Sequence, residues 1–456
     1  MLKRKAYQKM LEWKRESNGS TALLIEGARR VGKSTLARQF GESEYASCVF
    51  IDFVDAPSAV LELFSDLRND LDSFFLYLSA VTATPLHERD TLIVFDEVQA
   101  FPKAREALRQ LVADGRYDYV ETGSLVSIRE NVRDIRIPSE ERAMELNPLD
   151  FEEFLQAMGE EPLAEAIRSA FERRRALPDG IHRKAMRLWR EYMLVGGMPQ
   201  AVQAYVENRD FSAVDRIKRD ILALYRNDIA KHANGARTRV TALFDAIPGQ
   251  LAKHEKRFKM SSLGKSARMR DYEDAFFWLS DARVTNDCFN STEPSVGLGL
   301  NEDRSLFKCY MADTGLLVSH AFADRSATAN GVYRDVLLGK ISVNEGMLAE
   351  NLVAQSLRAN GHRLYFFTRY DAKAKRSYEV DFLIAQPYEN AAMKMRVSPI
   401  EVKSGDSYET KSLDLMRPRY GAHIGTEYVL HSKQLRVEVT GGSERLYLPL
   451  YMAFCL

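Results

Sequence analysis

Apolar residues along the first 150 positions gather in five short runs, "TALLIEG", "SCVFIDF", "TLIVFDE", "YDYVETG" and "AMELNPL", separated by longer charge-rich stretches. Runs that are apolar throughout predict central strands of a parallel sheet with helices on both faces, so residues 1–150 are expected to form an α/β domain. From Phe151 to about Leu224 the pattern becomes helical, broken at "LPDG" and "VGGMPQ", which predicts a helical subdomain over 151–242. Over 243–335 short helices lead into a turn-rich stretch with two short strands, the outline of a winged-helix-like region. Residues 336–456 read as a second α/β domain. Its helix "NEGMLAENLVAQSLRANG" precedes the strands "LYFFTRY", "EVDFLIA", "SPIEVKSG" and "EYVLHS".

Composition changes this picture little. A chain of 456 residues, 45% hydrophobic and 28% charged, has room for several packed cores. Lys and Arg together number 64, as do Asp and Glu, so no global basic field points to nucleic acid and any such surface is local. Cys48, Cys288, Cys309 and Cys455 lack metal-site spacing and suggest no disulfide framework. No run of 18 apolar residues occurs, and "MLKRKAYQKMLEW" lacks the apolar centre of a signal peptide, so a cytoplasmic protein with no membrane span is expected.

The first chemical signal follows the first apolar run. Gly27-Ala28-Arg29-Arg30-Val31-Gly32-Lys33-Ser34 fits G-x-x-x-x-G-K-[ST], with Thr35 continuing into a predicted helix. In that setting backbone N–H groups turn toward phosphates, Lys33 reaches the terminal phosphates and the Ser34 hydroxyl ligates Mg²⁺, which predicts ATP with Mg²⁺ as cofactor. The run "TLIVFDE" ends in Asp96 and Glu97: Asp96 is placed to hold Mg²⁺, and Glu97 to polarise the attacking water as catalytic base. In "ETGS", Thr122 and Ser124 are candidates to read the terminal phosphate or orient the water; a plain strand-to-helix turn and cap reads the same way. Arg142 is a candidate finger toward a phosphate in its own or a neighbouring subunit, or a solvated surface residue.

The second signal lies near the other end of the chain. Asp381, with Glu401 and Lys403 two apart on a following strand, fits the D…(D/E)-x-K pattern of metal-dependent phosphodiesterases. There two carboxylates converge on Mg²⁺ or Mn²⁺ and the lysine positions the attacking water. Glu379 shares the face of Asp381. An ordinary ion pair between Glu401 and Lys403 is the other reading of the same residues.

The phosphate loop, "DEVQ", "TGS", "NPLDFEEF" and "GGMP" together resemble the prokaryotic AAA+ type ATPases that carry a C-terminal domain of restriction-endonuclease-like, PD-(D/E)XK fold. The resemblance extends over most of the chain through "GGMPQAV", "LYRNDIAKH" and "MADTGLL". It implies a P-loop sheet of order 5-1-4-3-2, a helical and winged-helix-like middle and a nuclease-like end. Glu350 then matches the acidic residue that nuclease-like folds place on the helix before these strands, a further metal ligand or a base standing behind the ligands. In that family the residue before Arg142 is commonly glycine; here it is Glu141.

Between Ala252 and Arg270, seven Lys or Arg face one Glu, with Phe258, Met260 and Leu263 interleaved. That pattern suits helices anchored by apolar residues with charges toward phosphates, or a merely solvated basic face. The expectation is an ATP-hydrolysing protein acting on nucleic acid, DNA before RNA, in which ATP governs a metal-dependent nuclease-like domain. The alternative is an ATP-controlled module whose nuclease fold grips nucleic acid or a protein partner without cutting. Both leave room for a homo-oligomer.

Overall fold

The computed structural model describes residues 2–456 apart from 67–69, 124–139, 234, 254–256, 265–266, 323–332, 334–344, 373–374, 388–394, 406–407 and 441–442. The chain forms two compact units, one of residues 3–147 with 281–283, the other of residues 148–280 and 284–456.

In the first unit all five apolar runs are strands: β1 (Ala22–Glu26), β2 (Ser47–Asp52), β3 (Thr91–Asp96), β4 (Asp118–Gly123) and β5 (Glu141–Glu145). They form one parallel sheet, β2-β3-β4-β1-β5, which from its other edge is the expected 5-1-4-3-2. The central strands β3 and β4 are buried at every position, which is why they carry no alternation. β5, at the edge, buries only Met144 of its five residues. One face packs through Phe53, Phe64, Phe74, Ile93, Phe95 and Leu108, and each such apolar side chain contributes about 1.5–3 kcal/mol when fully buried. Because all strands are parallel, their carboxyl ends share one edge of the sheet. The loop after β1, the acidic end of β3 and the end of β4 therefore meet there.

The second unit opens with the helices Phe151–Ala157, Glu161–Glu172, Asp179–Val195, Pro199–Asn208, Phe211–His232 and Arg237–Leu251. Its sheet contains β6 (Thr285–Ser291), β7 (Glu302–Met311), β8 (Leu364–Asp371), β9 (Arg376–Pro387), β10 (Met395–Lys403), β11 (Glu427–His431), β12 (Arg436–Thr440) and β13 (Ser443–Pro449). The order is β12-β13-β11-β10-β9-β8-β6-β7. The hairpin expected as the wing of a separate winged helix is thus part of this sheet: β6 pairs antiparallel with β7 and parallel with β8. Pairing with β8 satisfies backbone groups that β6 would otherwise expose, and a boundary at 335 would cut through one eight-stranded sheet.

The motifs of the middle region converge inside this unit. Asp313 caps the helix Thr314–Ala321 and accepts from the Gly197 amide at 2.5 Å, while the Gly197 carbonyl accepts from the Leu149 amide at 2.7 Å. Gln355 accepts from Thr314 and donates to Tyr192, whose hydroxyl donates to the Leu149 carbonyl. "NPLDFEEF", "GGMP" and "DTGLL" are accordingly parts of one buried hydrogen-bonded junction.

Candidate nucleotide site and acidic cluster

Val31, fully buried, anchors the phosphate loop, while Arg29, Arg30 and Thr35 are exposed. Gly27 lies so close to the Leu146 carbonyl that a Cβ there would collide with it, and Gly32 has φ 98°, a conformation that favours glycine. The helix Lys33–Glu44 starts immediately after Gly32, so its unpaired N–H groups face the loop. Lys33 Nζ donates to the carbonyl oxygens of Gly27 at 3.0 Å and Ala28 at 3.1 Å. These neutral acceptors hold the ammonium in the loop, and phosphate oxygens can replace them.

At the end of β3, Asp96 accepts hydrogen bonds from Thr122 and from Ser34. Burial, with the charges of Glu97 and Asp52, pushes its carboxyl above the usual range against those hydrogen bonds. Thr122 Oγ1 also accepts from the Glu97 amide at 3.3 Å, so the threonine ties the acidic pair to the neighbouring strand. Glu97 has φ 51°, and its carboxylate accepts from Gln99 Nε2. Sequence reasoning singled out neither Gln99 nor Asp52, although "DEVQ" and "FIDF" placed both at carboxyl ends of predicted strands. Ser124 lies outside the described residues.

Arg142 is at the amino end of β5, opposite Leu23, and thus at the far edge of the sheet from the phosphate loop. Its guanidinium pairs with Glu16 at 2.7 Å, and its side chain is 54% exposed. The parallel register sets that side chain several residues away from the phosphate loop of its own chain.

In the second unit, β9 and β10 pair antiparallel and bring Asp381 to β10, where its Oδ2 accepts from the Val402 amide at 2.8 Å. Glu401 is buried and paired with Lys403 at 2.7 Å. Burial pushes the Glu401 carboxyl up, the Lys403 charge opposing and the Asp381 charge assisting. Glu350, on the helix Glu345–Ala359, joins the cluster, as does Glu379. The unforeseen member is Lys308 of β7, whose fully buried Nζ lies 2.9 Å from Glu379 Oε1, 3.2 Å from Glu350 Oε1 and 3.7 Å from Asp381 Oδ1. Burial opposes its charge, but these three carboxylates outweigh it and raise the Lys308 ammonium well above the usual range. The expectation of a metal held by Glu350, Asp381 and Glu401 therefore meets the Lys308 ammonium beside two of these carboxylates, Glu350 and Asp381, and the Lys403 ammonium beside the third. Among the described residues no three His, Cys, Asp or Glu side chains are arranged to hold a metal ion.

In the basic stretch, Phe258 is buried against Phe276 and Phe307 while Lys253, Lys259, Arg268 and Arg270 are exposed. Arg257 lies 3.4 Å from Glu379. Lys256 and Lys265 lie outside the described residues.

Residues 19–155 match a family model described as an AAA domain. Residues 186–327 and 345–451 match two families described as domains of unknown function, DUF8612 and DUF4143. No curated protein gives a significant match. Among solved structures, the chain is similar to the ORC1 protein of Aeropyrum pernix in complex with DNA, at 12% identity and a TM-score of 0.29, over 71% of this chain and 93% of that one. RuvB of Thermotoga maritima matches at 13% identity and a TM-score of 0.28, over 62% and 89%. AMPPCP-bound DnaA from Aquifex aeolicus matches at 12% identity and a TM-score of 0.28, over 62% and 87%. The sheet order, the phosphate loop and the AAA-domain match together define the first unit as a P-loop nucleotide-binding domain of the AAA+ class. No helix among the described residues is long and apolar enough to cross a membrane.

Proposed function

We propose that the chain is an ATP-hydrolysing protein that acts on nucleic acid, DNA in the first instance, and whose ATP cycle governs the C-terminal unit. The observation that carries this reading is the gathering of Lys33, Ser34, Asp96, Glu97 and Thr122 at the carboxyl edge of one parallel sheet. The loop fits a nucleotide: Gly27 leaves no room for a side chain, and Lys33 rests on exchangeable carbonyls. When bound, ATP with Mg²⁺ supplies the γ-phosphoryl group that water attacks. Lys33 would exchange the Gly27 and Ala28 carbonyls for phosphate oxygens, and Ser34 and Asp96 would hold the cation. Glu97 orients the water and accepts its proton, with Thr122 and Gln99 fixing where its carboxylate points. Arg142, exposed and bound to a surface glutamate, serves in this reading as a finger to a neighbouring subunit of a homo-oligomer.

Lys33→Ala is expected to lose tight ATP binding, because Lys33 neutralises phosphate charge already present in the ground state. Glu97→Gln is expected to bind ATP and fail to hydrolyse it, because Glu97 acts on the water in the transition state. Filter binding and phosphate release read the two apart. Unimpaired turnover in Glu97→Gln would remove Glu97 as the base.

Two roles for the second unit follow from the sequence: a phosphodiesterase using a metal on Asp381 and Glu401 with Lys403, or a module that grips nucleic acid or protein without cutting. Lys308 favours the second, since its ammonium already faces Asp381, one of the two carboxylates that a catalytic Mg²⁺ or Mn²⁺ needs, while Lys403 pairs with the other, Glu401. Plasmid and single-stranded DNA incubated with either metal, with and without ATP, should stay intact. Breaks that disappear in Asp381→Asn would restore the nuclease.

A further inference from the structure

Every carboxylate of the acidic cluster already has a partner within the protein. Glu350 accepts from Tyr310 and faces Lys308, Glu379 lies between Lys308 and Arg257, Asp381 takes the Val402 amide and faces Lys308, and Glu401 pairs with Lys403. Lys308 reaches oxygens from two separate elements, the helix Glu345–Ala359 and β9, as a metal ion bridging them would. A divalent ion on those oxygens, at the ~2.0–2.6 Å of Mg²⁺ or Ca²⁺ coordination, would stand within a few ångströms of the ammonium, and the two cations would repel. The lysine has no easy retreat. It lies within β7, paired opposite Cys288 of β6, and its Nζ is 5.1 Å from the centre of the Phe366 ring.

We propose that Lys308 is a built-in replacement for the divalent cation of this sheet, so that the acidic cluster takes up no metal in the wild-type chain and becomes a metal site only when the ammonium is removed. This rests on the non-cutting reading of the second unit and extends it by saying what stands in the metal's place. A lysine fused into the strand makes the junction of β7, β9 and the helix independent of metal supply. It also sets a fixed cation beside Asp381, one of the two carboxylates on which phosphodiester cleavage would hold its Lewis acid.

The test uses Mn²⁺ with the full chain carrying Asp96→Asn, without nucleotide, so that the phosphate-loop site does not compete. Free Mn²⁺ is followed by electron paramagnetic resonance, and thermal unfolding is recorded in parallel. With Lys308 intact, neither loss of free Mn²⁺ nor a rise in Tm is expected. Lys308→Met should unfold at lower temperature, take up Mn²⁺ and regain part of the lost Tm, and adding Asp381→Asn should remove that uptake. Uptake by the chain with Lys308 intact that Asp381→Asn abolishes overturns the proposal, as does a folded Lys308→Met protein that takes up none. If Lys308→Met does not fold, the comparison with and without Asp381→Asn on the Lys308 background decides alone. Asp381-dependent uptake of Mn²⁺ by the chain with Lys308 intact, without DNA breaks, would overturn this proposal and leave the non-cutting reading standing, whereas Asp381-dependent breaks by that chain would overturn that reading itself.

Discussion

Lys33 and Lys308 are both buried lysines in sites that contain carboxylates, and their immediate acceptors differ in kind. Lys33 donates to the backbone carbonyls of Gly27 and Ala28, whereas Lys308 faces Glu350, Glu379 and Asp381. An ammonium on neutral dipoles gains by moving to phosphate oxygens, because charge-assisted bonds are roughly twice as strong as neutral ones. An ammonium among three carboxylates has no better partner to move to. Acidic residues and a lysine on adjacent strands are thus compatible with opposite chemistries, and the decisive quantity is the charge each lysine already balances.

The largest test of this contrast is stability. Lys308→Met leaves three carboxylates without their shared cation and should lower the unfolding free energy by about 3–5 kcal/mol, whereas Lys33→Ala should cost about 1 kcal/mol or less. Denaturant melts of the two variants that shift equally would break the comparison. A smaller effect separates the carboxylates. Asp381→Asn should cost on the order of 2 kcal/mol, since Lys308 keeps two of its three partners. Asp96→Asn should leave nucleotide-free stability at neutral pH unchanged or raised.

The pH dependence of Asp96 has a definite sign. Its carboxyl is raised by burial, so the folded chain holds that proton more tightly than the unfolded chain. The resulting stability is fully present below the unfolded value of 3.8 and is lost as pH rises through the raised one. Melts recorded upward from below pH 3.8 should therefore fall less steeply in Asp96→Asn than in wild type. A steeper fall would mean that Asp96 is stabilised as the anion.

Gln99→Ala probes how firmly the base is held. With its amide gone, Glu97 should still accept a proton but point less consistently, lowering kcat about tenfold with ATP affinity unchanged. A change in affinity alone would assign Gln99 to the nucleotide. Smallest of all is the effect expected at Lys259, a lysine exposed at the surface. Lys259→Glu should lower the log–log salt slope of duplex binding by about 0.9 if it meets a phosphate, and an unchanged slope would move the interface elsewhere.

Much of both sites was legible in the chain. The five apolar runs of the first unit are its five strands, and Ser34 meets Asp96 because a strand-loop-helix signal and an acidic strand end are local patterns. Glu379, Asp381, Glu401 and Lys403 were placed on their strands by the same local reading. Other features needed the folded chain: β6 pairing with β8, Arg142 turning to Glu16, Thr122 bonding to both Asp96 and Glu97, and Lys308 entering the cluster. Lys308 had one faint signal, a single cation in the otherwise apolar "LFKCYMA", which costs free energy when buried unless an anion meets it. Its partner Glu350 lies 42 positions further along the chain, on a different element. Periodicity and motif spacing report what one element does with its own residues. The balance of charge in a buried cluster depends on which distant elements the sheet brings side by side, and that was decided only by the tertiary structure.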